Sequence, residues 1–165
     1  MRRVHAGGIG AARPHVRILF VCLGNTCRSP LAEAILRSRL ASRGIDDVQV
    51  ASAGTSERTR GLGADPRARR VARTHEIDLR RHRARPFRAE DFEGFDRVVV
   101  FDRENLGEVL AQARTEAERA KVSLLVADAE VSDPVAEGAA AFERTYDEIA
   151  AACERLVDEL ADERR

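Results

Sequence analysis

The sequence predicts an α/β fold: a three-layer, doubly wound sheet of four parallel strands with helices on both faces. Apolar runs of strand length alternate with helical patterns along the chain. The first run, "VRILFV", is continuous rather than alternating, as a strand buried on both faces requires. The last stretch keeps its apolar residues on one helical stripe over many turns.

Residues 16–21 form the first strand. Ser29 and Pro30 open a helix, with serine as a cap and proline tolerated in the first turn. Leu31, Ile35 and Leu36 give that helix an apolar face, and Gly44 ends it. Residues 47–52 alternate as a second strand, followed by a loop with Gly54, Gly61 and Gly63. Asp65 and Pro66 cap a helix that runs to about Thr74. A third strand covers 95–101, a helix 103–114 and a fourth strand 121–127. The last helix spans 139–162, with Phe142, Tyr146, Ile149, Cys153, Leu156, Val157 and Leu160 on its stripe.

At 165 residues and 44% hydrophobic, the chain suits one domain with a real core. Charges balance, 28 against 28, which argues neither for nor against nucleic acid, and no nucleic-acid partner is expected. Three cysteines do not make a disulfide scaffold. No apolar run reaches membrane-spanning length, and the basic start lacks a signal-peptide core. The expectation is a reduced, cytoplasmic protein without membrane association. Residues 1–15 are expected to be a disordered leader and 16–165 the domain.

In folds of this class, ligands bind outside the carboxyl ends of the strands, so the loop after the first strand is the place to look. It reads "CLGNTCRS", with Cys22 and Arg28 separated by five residues. Gly24 and Asn25 tolerate positive φ, so the backbone can curl with its N–H groups inward. Such a nest at a helix start is an anion site. Arg28 adds a planar fork of donors that matches phosphate oxygens. The same field favours the thiolate of Cys22, which in free cysteine forms only near pH ~8.5. A thiolate held against a bound phosphate is a nucleophile aimed at phosphorus. Breaking an ester there calls for a proton donor, and Asp133, before Pro134 and beyond the fourth strand, is the candidate. No Cys/His cluster has metal spacing, so neither metal nor cofactor is expected.

"VCLGNTCRSPLAEAIL" resembles the signature of the low-molecular-weight protein-tyrosine-phosphatase family. "SAGT", "ADPRA", "IDLRRHRAR", "FDRVVVFDRENL" and "VSDP" follow in the family's order, so the resemblance covers the chain from about Val16 onward. It implies a phosphatase acting on a phosphorylated protein or a small phosphomonoester and releasing inorganic phosphate. Cys22 would be the nucleophile, Arg28 the phosphate clamp and Asp133 the general acid and base. Leu23, Gly24, Asn25, Thr26, Cys27 and Ser29 would line the phosphate site, Ser29 bonding the thiolate. Asn25 would hold the loop curled with help from Ser52. Asp102 and His75 would support it, the latter paired with Glu33. Cys27 is either a resolving thiol for oxidised Cys22 or a small residue packed under the loop.

Two departures from the family bear on substrate. The aromatic walls expected after the Asp-Pro and beyond "SAGT" are replaced by Val135, Ala136 and Arg58. Thr26 replaces the isoleucine of tyrosine-specific members and resembles the protein-arginine-phosphatase branch. A thiol-dependent arsenate reductase is the remaining alternative, although the redox cysteines it needs are missing from residues 74–85.

Overall fold

The computed structural model describes residues 14–165, so most of the expected leader lies outside the described residues. His15 does not behave as leader: its N–H donates to the Asp47 carbonyl at 2.6 Å. The elements run β1 Val16–Cys22, α1 Arg28–Ser42, β2 Val48–Gly54, α2 Pro66–Thr74, α3 Asp91–Gly94, β3 Arg97–Val100, α4 Arg103–Gln112, α5 Glu116–Arg119, β4 Val122–Leu124 and α6 Ala139–Asp162. The four strands form one parallel sheet in the order β2-β1-β3-β4. The fold class is the expected one.

β1 lies between β2 and β3. The chain leaves β1 towards one neighbour and later returns to the other. The loops following β1 and β3 therefore diverge at the same sheet edge, the switch point at which ligands bind. Alternate residues of β1 serve two cores. Ile18 and Phe20 join Val99 and Phe101 under α1 and α6. Leu19 and Val21 join Ala53, Val98 and Val100 against Phe92 of α3 and Val109 of α4. This is why its apolar run is unbroken.

Several boundaries differ from expectation. β1 includes Cys22, and β2 continues to Gly54, because the two strands pair in register from Val16↔Val48 to Cys22↔Gly54. β4 shrinks to three residues, since the four-residue β3 beside it offers no longer ladder. α4 stops at Gln112, and Thr115 caps the separate α5. Ser29 does not cap α1. That helix starts at Arg28 with no side-chain cap, and Pro30 sits in the first turn, where an N–H would be unpaired anyway. Gly44, at φ 66°, closes α1 as expected. Asp65 caps α2 as expected, accepting from the Arg67 N–H at 2.8 Å. Among the described residues no helix is long and apolar enough to cross a membrane.

Cys153 of α6 is fully buried against α1. Burial pushes its thiol from 9.0 up to about 12. The unfolded chain therefore releases this proton first, so the stability is intact below pH 9.0 and is lost as pH rises towards about 12. We expect urea unfolding to show falling stability across that window, and Cys153→Ala to flatten the fall.

Candidate active site

Residues Cys22 to Arg28 connect β1 to α1. Beyond the sheet, Thr55 N–H donates to the Cys22 carbonyl and Ser56 N–H to the Leu23 carbonyl, both at 2.9 Å. The loop curls at Asn25, whose φ is 53°. The Asn25 amide donates to Ser29 at 2.8 Å and to Ser52 at 2.9 Å, and its side-chain oxygen accepts from the Arg85 N–H at 3.0 Å. His82 Nε2 lies 2.6 Å from the Asn25 carbonyl. Held this way, the backbone N–H groups of Leu23, Gly24, Thr26, Cys27 and Arg28 have no acceptor among the described residues. A row of free N–H groups ahead of a helix is a cradle for an anion.

Cys22 is 3% exposed. Its Sγ lies 2.9 Å from Ser29 Oγ and accepts from the Asn25 N–H at 3.3 Å. The polarity of the network follows from its far end. Glu33 as a carboxylate only accepts, so Ser52 donates to it, at 2.5 Å. The Ser52 oxygen then accepts from Asn25, and so does the Ser29 oxygen. That leaves the Ser29 proton two acceptors, Cys22 Sγ at 2.9 Å and the Ala53 carbonyl at 3.3 Å.

Arg28 is 2% exposed beneath the loop. Nη1 donates to Asp102 Oδ2 at 2.7 Å and to the Val131 carbonyl at 2.9 Å. Nη2 lies 3.6 Å from Asp133 Oδ2, and neither it nor Nε makes a hydrogen bond within the described residues. Burial by itself would lower the guanidinium pKa. Cys22, Asp102 and Asp133 outweigh it and hold the pKa above the ordinary arginine value. Arg28 is therefore a fixed cation with one anchored edge and one edge to offer. Asp102 also caps α4, accepting from the Asn105 N–H at 2.7 Å, so one carboxylate positions both a helix and the arginine.

Asp133 is half-buried, and its Oδ1 accepts from the Val135 N–H across Pro134 at 3.1 Å. The segment is tethered by Arg67, which donates to the Val135 carbonyl at 3.1 Å and lies over the Phe142 ring. Cys27 is buried in the core, where burial and then the nearby Cys22 push its thiol up. A packing role suits it better than a redox one.

The structure thus brings together Cys22 to Ser29, Ser52, Asp102 and Asp133. It does not bring in His75, whose ring stacks on Tyr146 with centroids 3.9 Å apart. His75 Nε2 lies 3.8 Å from Glu143 on α6, and Glu33 pairs with Arg37 instead. The histidine at the loop is His82. Sequence reasoning missed it because nothing local separates the two histidines. It also missed Gly54 as a site residue: a Cβ there would lie 2.8 Å from the Leu23 carbonyl and 2.9 Å from the Asn25 nitrogen.

Residues 17–165 match the family described as low molecular weight phosphotyrosine protein phosphatase. The chain belongs to that family. A Streptomyces coelicolor low molecular weight protein-tyrosine-phosphatase is 39% identical over 86% of this chain and 91% of its own. A protein tyrosine phosphatase of Entamoeba histolytica, solved with Hepes in its active site, superposes with TM-score 0.84 at 31% identity, covering 91% of this chain and 99% of that one. The YwlE arginine phosphatase, solved as a cysteine-to-serine mutant with a phosphorylated active-site serine, superposes with TM-score 0.80 at 30% identity, covering 90% of this chain and 98% of that one. The protein is accordingly a phosphatase, a hydrolase of this family.

Val135, Ala136 and Arg58 stand where aromatics were expected. The exposed large hydrophobics among the described residues are Leu23, Leu62 and Val135, all on loops around the site. The rim is aliphatic and cationic rather than aromatic.

The Gly54 contact yields a test. Gly54→Ala must push backbone against backbone, which has no cheap relief, so it should cost roughly 1–3 kcal/mol in urea unfolding. We expect phosphate affinity to fall with it, as measured by protection of Cys22 from alkylation.

Proposed function

We propose that the protein hydrolyses phosphotyrosine or a similar phosphomonoester through a cysteinyl-phosphate intermediate, with residues 16–165 as the working domain. The observation that carries this reading is the convergence of Cys22, the row of free N–H groups, Arg28 and Asp133 at one sheet edge. The substrate phosphate occupies the cradle of Leu23 to Arg28, and the free edge of Arg28 takes two of its oxygens.

Cys22 Sγ attacks phosphorus while the ester oxygen leaves, taking the proton of Asp133. Charge that spreads over the equatorial oxygens meets donors already in place, which lowers the barrier without reorganisation. Water then attacks the phosphorus and gives its proton to Asp133. Inorganic phosphate leaves, and the Ser29 hydroxyl stabilises the departing thiolate. The phosphorylated active-site serine of the YwlE cysteine-to-serine mutant supports a covalent step at an active-site cysteine in that similar structure.

An arginine-phosphatase reading is favoured by two observations: Thr26, and the likeness to the YwlE arginine phosphatase. The arsenate-reductase alternative lacks the additional redox cysteines it needs. Cys22, Cys27 and Cys153 are the cysteines of the chain, and none falls in residues 74–85.

The mechanism is tested with p-nitrophenyl phosphate and no added metal. Cys22→Ser should abolish turnover. Asp133→Ala should lower kcat by about 10²–10⁴-fold, most for poor leaving groups. Full activity in Cys22→Ser would end the covalent mechanism. Parallel kcat/KM measurements on phosphotyrosyl and phosphoarginyl peptides decide the substrate. We expect phosphotyrosine to be turned over at least as well, and a clear excess for phosphoarginine would reverse the assignment.

A further inference from the structure

We propose that a groove beside the anion loop docks an acidic segment of a phosphorylated protein substrate, adjacent to its phosphorylated residue. The proposal rests on the phosphatase reading above and adds a substrate class to it. The groove has a volume of about 640 Å³, and Thr26 of the loop, Leu62, Arg69, Arg80 and Arg83 are on its walls. It shares Pro66, Arg69 and Arg80 with a second cavity of about 630 Å³, which adds Arg70 and Arg73. The two adjoin at these shared walls and follow α2 away from Thr26 of the anion loop.

The charge of these walls is largely unspent. Asp65 is committed to Arg67 and to capping α2, Asp78 is paired with Arg80, and Glu76 is the remaining carboxylate on the walls, against Arg69, Arg70, Arg73 and Arg83. Arg69, Arg70 and Arg73 have no carboxylate within salt-bridge distance among the described residues, and residues 1–13 contain no Asp or Glu. These arginines are exposed and carried by a helix, not a loose loop. Their position relative to the phosphate site is fixed, because the Asp65 N–H donates to the Thr26 carbonyl at 2.8 Å.

Guanidinium forks match carboxylates, and an array of free ones attracts an acidic chain before contact. Helical rise places Arg69 and Arg73 roughly 6 and 12 Å along α2 from Asp65. That is the reach of about two to four residues of extended peptide. Neither cavity has an aromatic wall on which a base could stack, so a peptide suits the groove better than a nucleic acid. Leu62, 54% exposed, offers an apolar contact beside the charges.

The test compares two phosphotyrosyl peptides that differ only in carrying Asp and Glu, or Ser and Gln, two to four positions from the phosphotyrosine. We expect kcat/KM to be at least ~10-fold higher for the acidic peptide at low ionic strength, with the gap closing as salt is added. The double variant Arg69→Glu/Arg73→Glu should lose that preference while hydrolysing p-nitrophenyl phosphate at the unchanged rate. Equal kcat/KM for the two peptides, or a preference that survives the charge reversal, overturns the proposal. If no phosphate ester is turned over, the phosphatase reading fails on its own. Fluorescence anisotropy with the unphosphorylated acidic peptide then still decides the groove. Salt-sensitive binding lost in the double variant supports it, whereas no binding, or tighter binding of an oligonucleotide of equal charge, overturns it.

Discussion

The site depends on holding Asn25 in the left-handed region. That conformation costs an L-residue about 1–2 kcal/mol. It is offset by the three side-chain hydrogen bonds of Asn25, worth roughly 0.5–1.5 kcal/mol each. The bonds reach Ser29 on α1, Ser52 on β2 and Arg85 in the segment before β3. The loop is thus clamped by elements on three sides, and its curl leaves the backbone N–H groups facing no protein acceptor. Gly54 completes the constraint by letting the loop backbone pass where a Cβ would block it.

The second fixed element is the Arg28 cation. A buried charge is tolerated only when it is paired and hydrogen-bonded, and Asp102 and the Val131 carbonyl supply that. Both partners lie in the stretches that follow β3 and β4. The sheet order therefore decides which carboxylates meet the loop, and the anchored edge of the guanidinium leaves the other edge ordered before any ligand arrives. Preorganisation of this kind is what makes electrostatic stabilisation effective in phosphoryl transfer.

Around this geometry the rim is aliphatic and cationic. Aliphatic Leu23, Leu62 and Val135 surround the opening, and unpaired arginines line the groove beside it. Recognition then rests less on stacking an aromatic ring than on reading what flanks the phosphate. On the proposed reading, the loop handles the phosphoryl group and the α2 face discriminates among the chains that carry it.

The order of strands and helices was legible in the sequence, because burial on two faces writes a continuous apolar run and burial on one writes a helical stripe. So was the anion loop, since Gly24, Asn25, Arg28 and the helix start are local to one stretch of chain. Asp65 was legible as a cap for the same reason. What the sequence could not determine is which distant groups meet. His82, not His75, reaches the loop, and Glu33 bonds Ser52, not a histidine. The joining of Thr26 to the arginines of α2 is likewise tertiary. These choices turn on strand order and on the packing of α1, α2 and α6, and hydrogen bonds between groups far apart in sequence leave no periodic trace along the chain.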